Sequence, residues 1–334
     1  YDWLESTTYE QALRVDGLRQ RDIVVRDPSF TDPLGAGAGL ALPPSRIQID
    51  PRLQMPSVLM ASVGIDTRLT PKLRLNTDYR FERGLHLLRG RNVNAPLDGT
   101  GRPDPTLGNV TQVESSASAT THRLSVHLMP AMIKSGFFWS VMYAYAHTTS
   151  DTAGPLSLPA NNFDLRGEWG PGPNDMRHFV SAMVNRNLFK GLSVGVMFSA
   201  NSALPYNVTT GFDDNGDTVS NDRPAGVTRN SARGAARIDL GTRVGWSKGF
   251  GPERAAGGGM SGPVVVRMGG DGAGASFPGM NNKRFRLELY AQVFNLLNHA
   301  NLVGFSGVQT SPFFGQATAA LPGRRVETGM RFSF

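Results

Sequence analysis

From Leu59 to Leu69 the chain alternates strictly, with Leu59, Ala61, Val63, Ile65, Thr67 and Leu69 on one side of an extended backbone and Met60, Ser62, Gly64, Asp66 and Arg68 on the other. A period of two is the mark of a strand with one apolar face. After a tight "TPK" turn (70–72) the alternation resumes, with Leu73, Leu75, Thr77, Tyr79 and Phe81 set against Arg74, Asn76, Asp78, Arg80 and Glu82. This predicts a hairpin with one greasy and one charged face. The same signature recurs around Leu124–Leu128, Trp139–Tyr145, Phe179–Val184, Leu192–Ala200, Ile238–Trp246, Phe285–Val293 and Arg324–Phe334. About nine strands result, each near the ten residues that a tilted strand needs to cross a bilayer.

Two features distinguish a membrane barrel from a sandwich. Connections alternate between short turns and long loops rich in Gly, Pro and Asn, as expected when turns face the periplasm and loops face outside. The few lysines, Lys72, Lys134, Lys190, Lys248 and Lys283, all fall in or beside the turns of the periplasmic side. Backbone groups in hydrocarbon must be paired, so only a closed sheet can show such apolar faces to lipid. The predicted fold is all-β, an antiparallel transmembrane β-barrel in the bacterial outer membrane, with outer-membrane lipid as a partner. Val141, Tyr143, Val194, Val196, Leu240, Val244, Leu287, Leu289, Met330 and Phe332 are the predicted lipid-facing residues. The charged faces must then look into the lumen, because such charges cost a few kcal/mol at the bilayer midplane.

Composition narrows the alternatives. The 334 residues include 39 Gly and 22 Pro, which favours short strands over helical layers, and no run approaches the length of a membrane helix. With no cysteine there is no disulfide, thiolate metal site or cysteine nucleophile. The net charge of +7 comes from arginines scattered among acids, with no basic block carrying interleaved aromatics, so nucleic acid is not an expected partner.

Strand parity adds an expectation about the larger assembly. Bacterial barrels normally have an even number of strands, with both ends in the periplasm. Nine strands with a descending last one place residues 1–56 outside the cell after an earlier strand, and residues 57–334 as the C-terminal strands of a larger barrel. Thr7 and Glu10 have capping-box spacing ahead of Leu13, which predicts a short helix in the outer segment.

Four stretches carry a family resemblance: "RGLHLLRGRNVNAPL", "FDLRGEWGPGPNDMRHF", "TTGFDDNGDTVSNDRPAGVTRNSARG", and "YAQVFNLLNHANLVGF" followed by "RRVETGMRFSF". They resemble the C-terminal barrel portion of TonB-dependent outer-membrane receptors of the Oar-like subgroup. The resemblance implies a 22-strand barrel closed by an N-terminal plug, with energised uptake of a bulky nutrient through the TonB complex. It also implies that the terminal aromatic, Phe334, is read by the barrel assembly machinery. Neither plug nor TonB-binding segment is part of this sequence, so its own plug and remaining strands become expected partners. A surface anchor or adhesin that displays loops without transport is the alternative function.

Candidate chemistry is sparse, and no enzyme is expected. "DDNGD" (213–217) with Asp222 resembles the start of a calcium loop, making Asp213, Asn215, Asp217 and Asp222 candidate ligands and calcium the one cofactor suggested. Pro224 stands where an EF-hand has its bidentate Glu, so the alternative is a solvated loop turning at Asn215 and Gly216. Gly257, Gly259 and Gly262 match G-x-G-x-x-G but precede "PVVV", and so read as linker. His147 lies near Ser150 and Asp151, an ordinary loop composition, and no G-x-S-x-G elbow exists. Among the loop aromatics, Trp169, Tyr206 and Phe313 are candidate ligand contacts, through stacking on a sugar or gripping a peptide.

Overall fold

The computed structural model describes residues 6–19, 23–25, 32, 40–96, 101–132, 136–253, 265–266, 275–276 and 283–334. Nine long strands make one sheet: β1 (Ser57–Thr70), β2 (Leu73–Asn92), β3 (Val110–Pro130), β4 (Phe137–Ser150), β5 (His178–Asn187), β6 (Leu192–Asn201), β7 (Arg237–Glu253), β8 (Lys283–Phe294) and β9 (Arg325–Ser333). Each is hydrogen-bonded antiparallel to the next in chain order, the up-and-down meander that the alternation predicts. Among the described residues β1 and β9 do not pair with each other, so the sheet is an open section of barrel wall.

Register carries the apolar face unbroken from strand to strand. Val63 pairs with Tyr79, Tyr79 with Leu124, and Leu124 with Tyr145. Further along, Val196 pairs with Thr242, Val244 with Ala291, and Leu289 with Met330. A slip of one residue at any pair would turn a whole strand over. None occurs through these rows, and all ten predicted lipid-facing residues lie on this one face. Val141 is 40% and Phe332 51% exposed. The buried apolar residues are few and small: Ala95, Val110, Val113, Ala117, Ala144 and Ala160. A soluble β-sandwich would hide Val, Leu and Phe between two sheets; here they cover the outside.

The opposite face is ionic and self-paired. Arg74 bonds Asp66 across the first hairpin, Arg243 bonds Glu288 at 3.0 Å, and Arg325 bonds Glu327 at 2.9 Å. Asn185 fills the space over Gly195, so the wall has no gap there.

The short turns follow from local chemistry. At 188–191, Lys190 and Gly191 both take positive φ (49° and 83°), and the Leu192 N–H closes the turn on the Phe189 carbonyl at 2.9 Å. A Cβ on Gly191 would sit 2.0 Å from the Ser247 carbonyl oxygen, so only glycine fits.

The structure corrects one strand length. "RGRNVNAPLDGTGRPDPTLGN" reads as irregular from its Gly, Pro and Asn, yet β2 continues to Asn92 and β3 begins at Val110. At 20 and 21 residues these strands would reach roughly 65 Å at about 3.3 Å per residue. That is about twice the hydrocarbon thickness, so their upper halves stand clear of the membrane. The reason is partnership: Arg89–Asn92 pair with Thr111–Glu114, whose other edge takes Arg46–Ile49 in parallel. The helix α1 (Ser6–Arg14) leads into this segment, with the Ile47 N–H on the Val15 carbonyl at 2.8 Å. A short helix is therefore present where capping-box spacing predicts one, with Thr7 already inside it. Lys134 and the glycines at 257, 259 and 262 lie outside the described residues.

Candidate ligand-binding surface

Four long connections, 93–109, 151–177, 202–236 and 295–324, emerge from the same end of the sheet. They are welded by buried polar side chains. Asn92, at the tip of β2, receives Val110 N–H at 3.1 Å on its amide oxygen and donates Nδ2 to the Asp217 carbonyl at 3.3 Å. Its own N–H bonds Asn162 Oδ1 at 2.7 Å, and Asn162 Nδ2 donates to Asp217 Oδ2 at 2.7 Å. Three connections thus meet at Asn92, Asn162 and Asp217, all fully buried. Buried polar atoms that are all satisfied fix one loop arrangement, because every alternative strands a donor or acceptor.

Two ionic hubs extend the weld. Glu168 receives Arg223 at 2.5 Å, while Arg229 lies 3.8 Å from the same carboxylate and donates to the Ser150 carbonyl at 2.8 Å. Burial depresses the Arg229 pKa, against the pull of Glu168. Asp175, with no exposed surface, accepts the Thr148 N–H at 2.7 Å and Arg177 Nε at 2.8 Å, and also binds Arg233. Burial raises its pKa, but the hydrogen bonds from Arg177, the Thr148 N–H and Arg233 outweigh this and hold it below the ordinary carboxylate value. Arg89, 2% exposed, pairs with Asp151 at 2.6 Å while its Nε and Nη1 find no partner among the described residues.

The "DDNGD" loop combines a solvent-exposed turn at 213–216 with a buried anchor at Asp217. Gly216 does turn at positive φ (73°), but Asp217 and Asp222 are buried. Asp213 Oδ2 accepts the Thr218 N–H at 2.9 Å, and Asp217 Oδ1 the Val219 N–H at 3.0 Å. Asp222 accepts the Asp214 N–H at 2.8 Å and Asn215 Nδ2 at 2.6 Å. Each of these side chains thus accepts a hydrogen bond from the loop itself, and among the described residues no group of three or more acidic or histidine side chains is arranged to hold a metal. Asp222 is raised above the ordinary carboxylate value, chiefly by burial, with Asp217 and Asp213 adding repulsion against the pull of the N–H donors.

Of the three aromatic candidates, Tyr206 stacks on Phe305 at 5.8 Å and so packs one loop on another. Trp169 and Phe313 are 44% and 56% exposed and remain open to solvent. His147 does not meet Ser150 or Asp151 in a catalytic arrangement: its Nδ1 lies 3.4 Å from Asp175, Ser150 bonds the Ser118 and Thr152 carbonyls, and Asp151 serves Arg89.

Below the loops, a cleft of about 380 Å³ opens on the ionic face at the top of β6–β9. Ser199, Asn201, Arg237 and Asp239 line one side, and Phe294 and Arg325 the other. The Arg325 guanidinium lies over the Phe294 ring at 4.6 Å, and Asn301 seals the rim by pairing with both backbone groups of Ile238 at 2.8 and 2.9 Å. Neither Arg237 nor Asp239 has an ion-pair partner among the described residues. A free cation and a free carboxylate two residues apart beside an aromatic face can bind a polar solute by hydrogen bonds and stacking. Sequence reading missed these residues, along with the weld at Asn92, Asn162, Glu168 and Asp175; most of the weld lies in the stretches that carried the family resemblance.

An exposed apolar belt, a paired ionic face and welded loops at one end define an outer-membrane β-barrel wall. The chain belongs to the outer membrane beta barrel domain family, matched over residues 6–327, and its place is the bacterial outer membrane. Among solved structures it is similar to the outer membrane transporter YddB from Escherichia coli, at a TM-score of 0.57 and 12% identity, covering 88% of this chain and 35% of that one. It is also similar to the FrpB iron transporter (F3-3 variant) from Neisseria meningitidis (TM-score 0.46, 11% identity, 86% and 33% covered). A third is the copper transporter OprC (TM-score 0.45, 12% identity, 85% and 32% covered). The chain spans about a third of the length of these proteins. No curated protein matches it.

Proposed function

We propose that this chain forms the C-terminal wall of a TonB-dependent transporter of the Oar-like subgroup, taking up a bulky polar nutrient. The observation that carries the reading is the cleft between Asp239 and Arg325, which sits on the lumen side at the mouth of the wall with ionic groups left unpaired. The welded loops act as a rigid funnel above it, with Trp169 and Phe313 as outer contacts. In this reading residues 1–56 lie on the outer side, and a plug and further strands belong to the same protein and couple it to TonB. The terminal Phe334 serves the assembly machinery, supported by its place beside Phe332 at 6.3 Å in a cluster that includes Phe250 and Phe285. Calcium at Asp213, Asn215, Asp217 and Asp222 is not part of the proposal.

Uptake of labelled oligosaccharides, peptides and metal chelates, compared in cells with and without the protein, tests this. Transport of one solute should vanish on deletion of TonB and fall in an R237A/D239A double variant displayed at normal surface levels. Binding without any TonB-dependent flux would instead mark an anchor or adhesin.

A further inference from the structure

The membrane face of β2–β5 carries a second feature that transport does not use. Three register rows at its upper edge collect histidines, tyrosines and one arginine. The highest row holds Arg83, Thr120 and Thr149; the next holds Phe81, His122 and His147; the third holds Tyr79, Leu124, Tyr145 and His178. Half of the six histidines thus stand on three adjacent strands, at the border where the apolar belt ends.

Two of them are held identically. Tyr79 Oη lies 2.8 Å from His122 Nδ1, and Tyr143 Oη 2.8 Å from His178 Nδ1. Phe81 packs on the first imidazole at 5.2 Å and Tyr145 on the second at 5.4 Å. With the phenol donating to Nδ1, the proton stays on Nε2, and that N–H has no partner among the described residues. Arg83 is exposed one row above, with no ion-pair partner among the described residues. No Asp or Glu stands in these three rows. The neighbouring carboxylates are already paired: Asp175, which contacts His147 and has no exposed surface, is neutralised by Arg177 and Arg233, and Asp151, two residues beyond Thr149, pairs with Arg89.

A uniform aromatic girdle does not explain the strip. Towards β6–β9 the upper membrane-facing rows carry Ala200, Ile238, Val293 and Val326, with no cation. Two imidazole N–H donors without acceptors and one arginine, confined to one side of the wall, complement an anionic group at the level of lipid headgroups. We propose that Arg83, His122 and His178 form a binding site for the phosphate groups of a phosphorylated glycolipid of the outer leaflet, oriented by Tyr79 and Tyr143.

The test uses the protein purified from outer membranes in detergent, with diphosphorylated lipid A as the probe. Wild-type protein should retain lipid A through gel filtration, and should retain the dephosphorylated form about tenfold less. The R83A/H122Q variant, its folding verified by heat-modifiable gel migration, should lose retention to a similar degree. Equal retention of both lipid forms by wild-type protein overturns the proposal without reliance on any variant, and so does unchanged retention by the folded double variant. Displacement of the lipid by millimolar inorganic phosphate alone would also overturn it, by assigning the site to free phosphate.

Discussion

The ring of Tyr290 occupies the space where a side chain at Gly329 would stand: a Cβ there would lie 2.4 Å from the Tyr290 hydroxyl oxygen. The two residues are direct register partners on β8 and β9, and the Arg243 guanidinium from β7 covers the same ring at 3.9 Å. Three strands are thus locked by one aromatic ring laid over a glycine, the arrangement that compensates for a missing side chain in a sheet.

Gly329→Ala should push Tyr290 off its site and uncover Arg243, at a cost of about 1–3 kcal/mol for overpacking. Urea titration of the protein in detergent micelles, followed by tryptophan fluorescence, reads the loss. Tyr290→Phe keeps the ring and should cost much less. Equal destabilisation by both changes would show that the hydroxyl, and not ring packing, is what matters.

The facing of the wall predicts an asymmetry between neighbouring strand positions. Val141→Arg or Leu240→Arg puts a cation into hydrocarbon and should impair insertion by about 2–4 kcal/mol. Arg243→Ala, on the opposite face, should leave insertion intact. Assembly into lipid vesicles, scored by heat-modifiable migration, separates the two classes, and equal yields would contradict the facing.

At the loop weld, Asp217→Ala strands the Asn162 amide in a dry interior and leaves the half-buried Val219 N–H without its acceptor. Each buried orphan costs about 1–3 kcal/mol, which the loops must recover by opening. Limited proteolysis should therefore cut connections 151–177 and 202–236 faster, while the barrel keeps its heat-modifiable migration. Unchanged protease resistance would mean that Arg223–Glu168 and the Asp175 hub hold the loops without Asp217.

A buried pair offers a complementary test. Asp151→Asn removes the only ion-pair partner, among the described residues, of a 2% exposed arginine, and breaking a buried pair from one side costs about 3–5 kcal/mol. The double change R89M/D151L removes both charges and should recover much of that loss. A double-mutant cycle by urea denaturation measures the coupling, and additive single effects would show that the pair is not coupled.

The wall was legible in the sequence because one period governs it: residues two apart meet the same solvent, so Val141, Leu240 and Phe332 could be assigned to a face without knowing their neighbours. The extension of β2 to Asn92 was not legible. Its last residues gain strand structure from Thr111–Glu114 on β3, itself flanked by Arg46–Ile49, and a local pattern does not contain a partner 18 residues or more away. The same holds for the loops. "DDNGD" has the composition of a solvated turn or a cation loop, and only the approach of Asn162 and Ala160 from another connection ties Asp217 and Asn215 into the weld. Arg237, Asp239 and Arg325 read as ordinary lumen-facing charges; their convergence on one cleft depends on the register of β6–β9.

Asp222 gives the loops an unusual response to acid. Burial, aided by Asp217 and Asp213, raises its folded pKa above the ordinary carboxylate value. A raised carboxylate pKa means that the folded loop takes up a proton before the open loop does, so stability falls as pH rises through this window. Above the folded pKa the buried charge is a standing cost. As pH drops from neutrality toward the ordinary carboxylate value of about 4, the proton relieves that cost and the 213–222 loop should tighten. Asp175 acts in the opposite sense but lower down, since its depressed pKa keeps its contribution until the pH has fallen below the ordinary value. Hydrogen exchange corrected for the intrinsic pH effect should show protection at 213–222 increasing on acidification in the wild type and flat in Asp222→Asn. Protection that decreases over the same range would mean that the charged form of Asp222, held by the Asp214 N–H and Asn215, is the stabilising one.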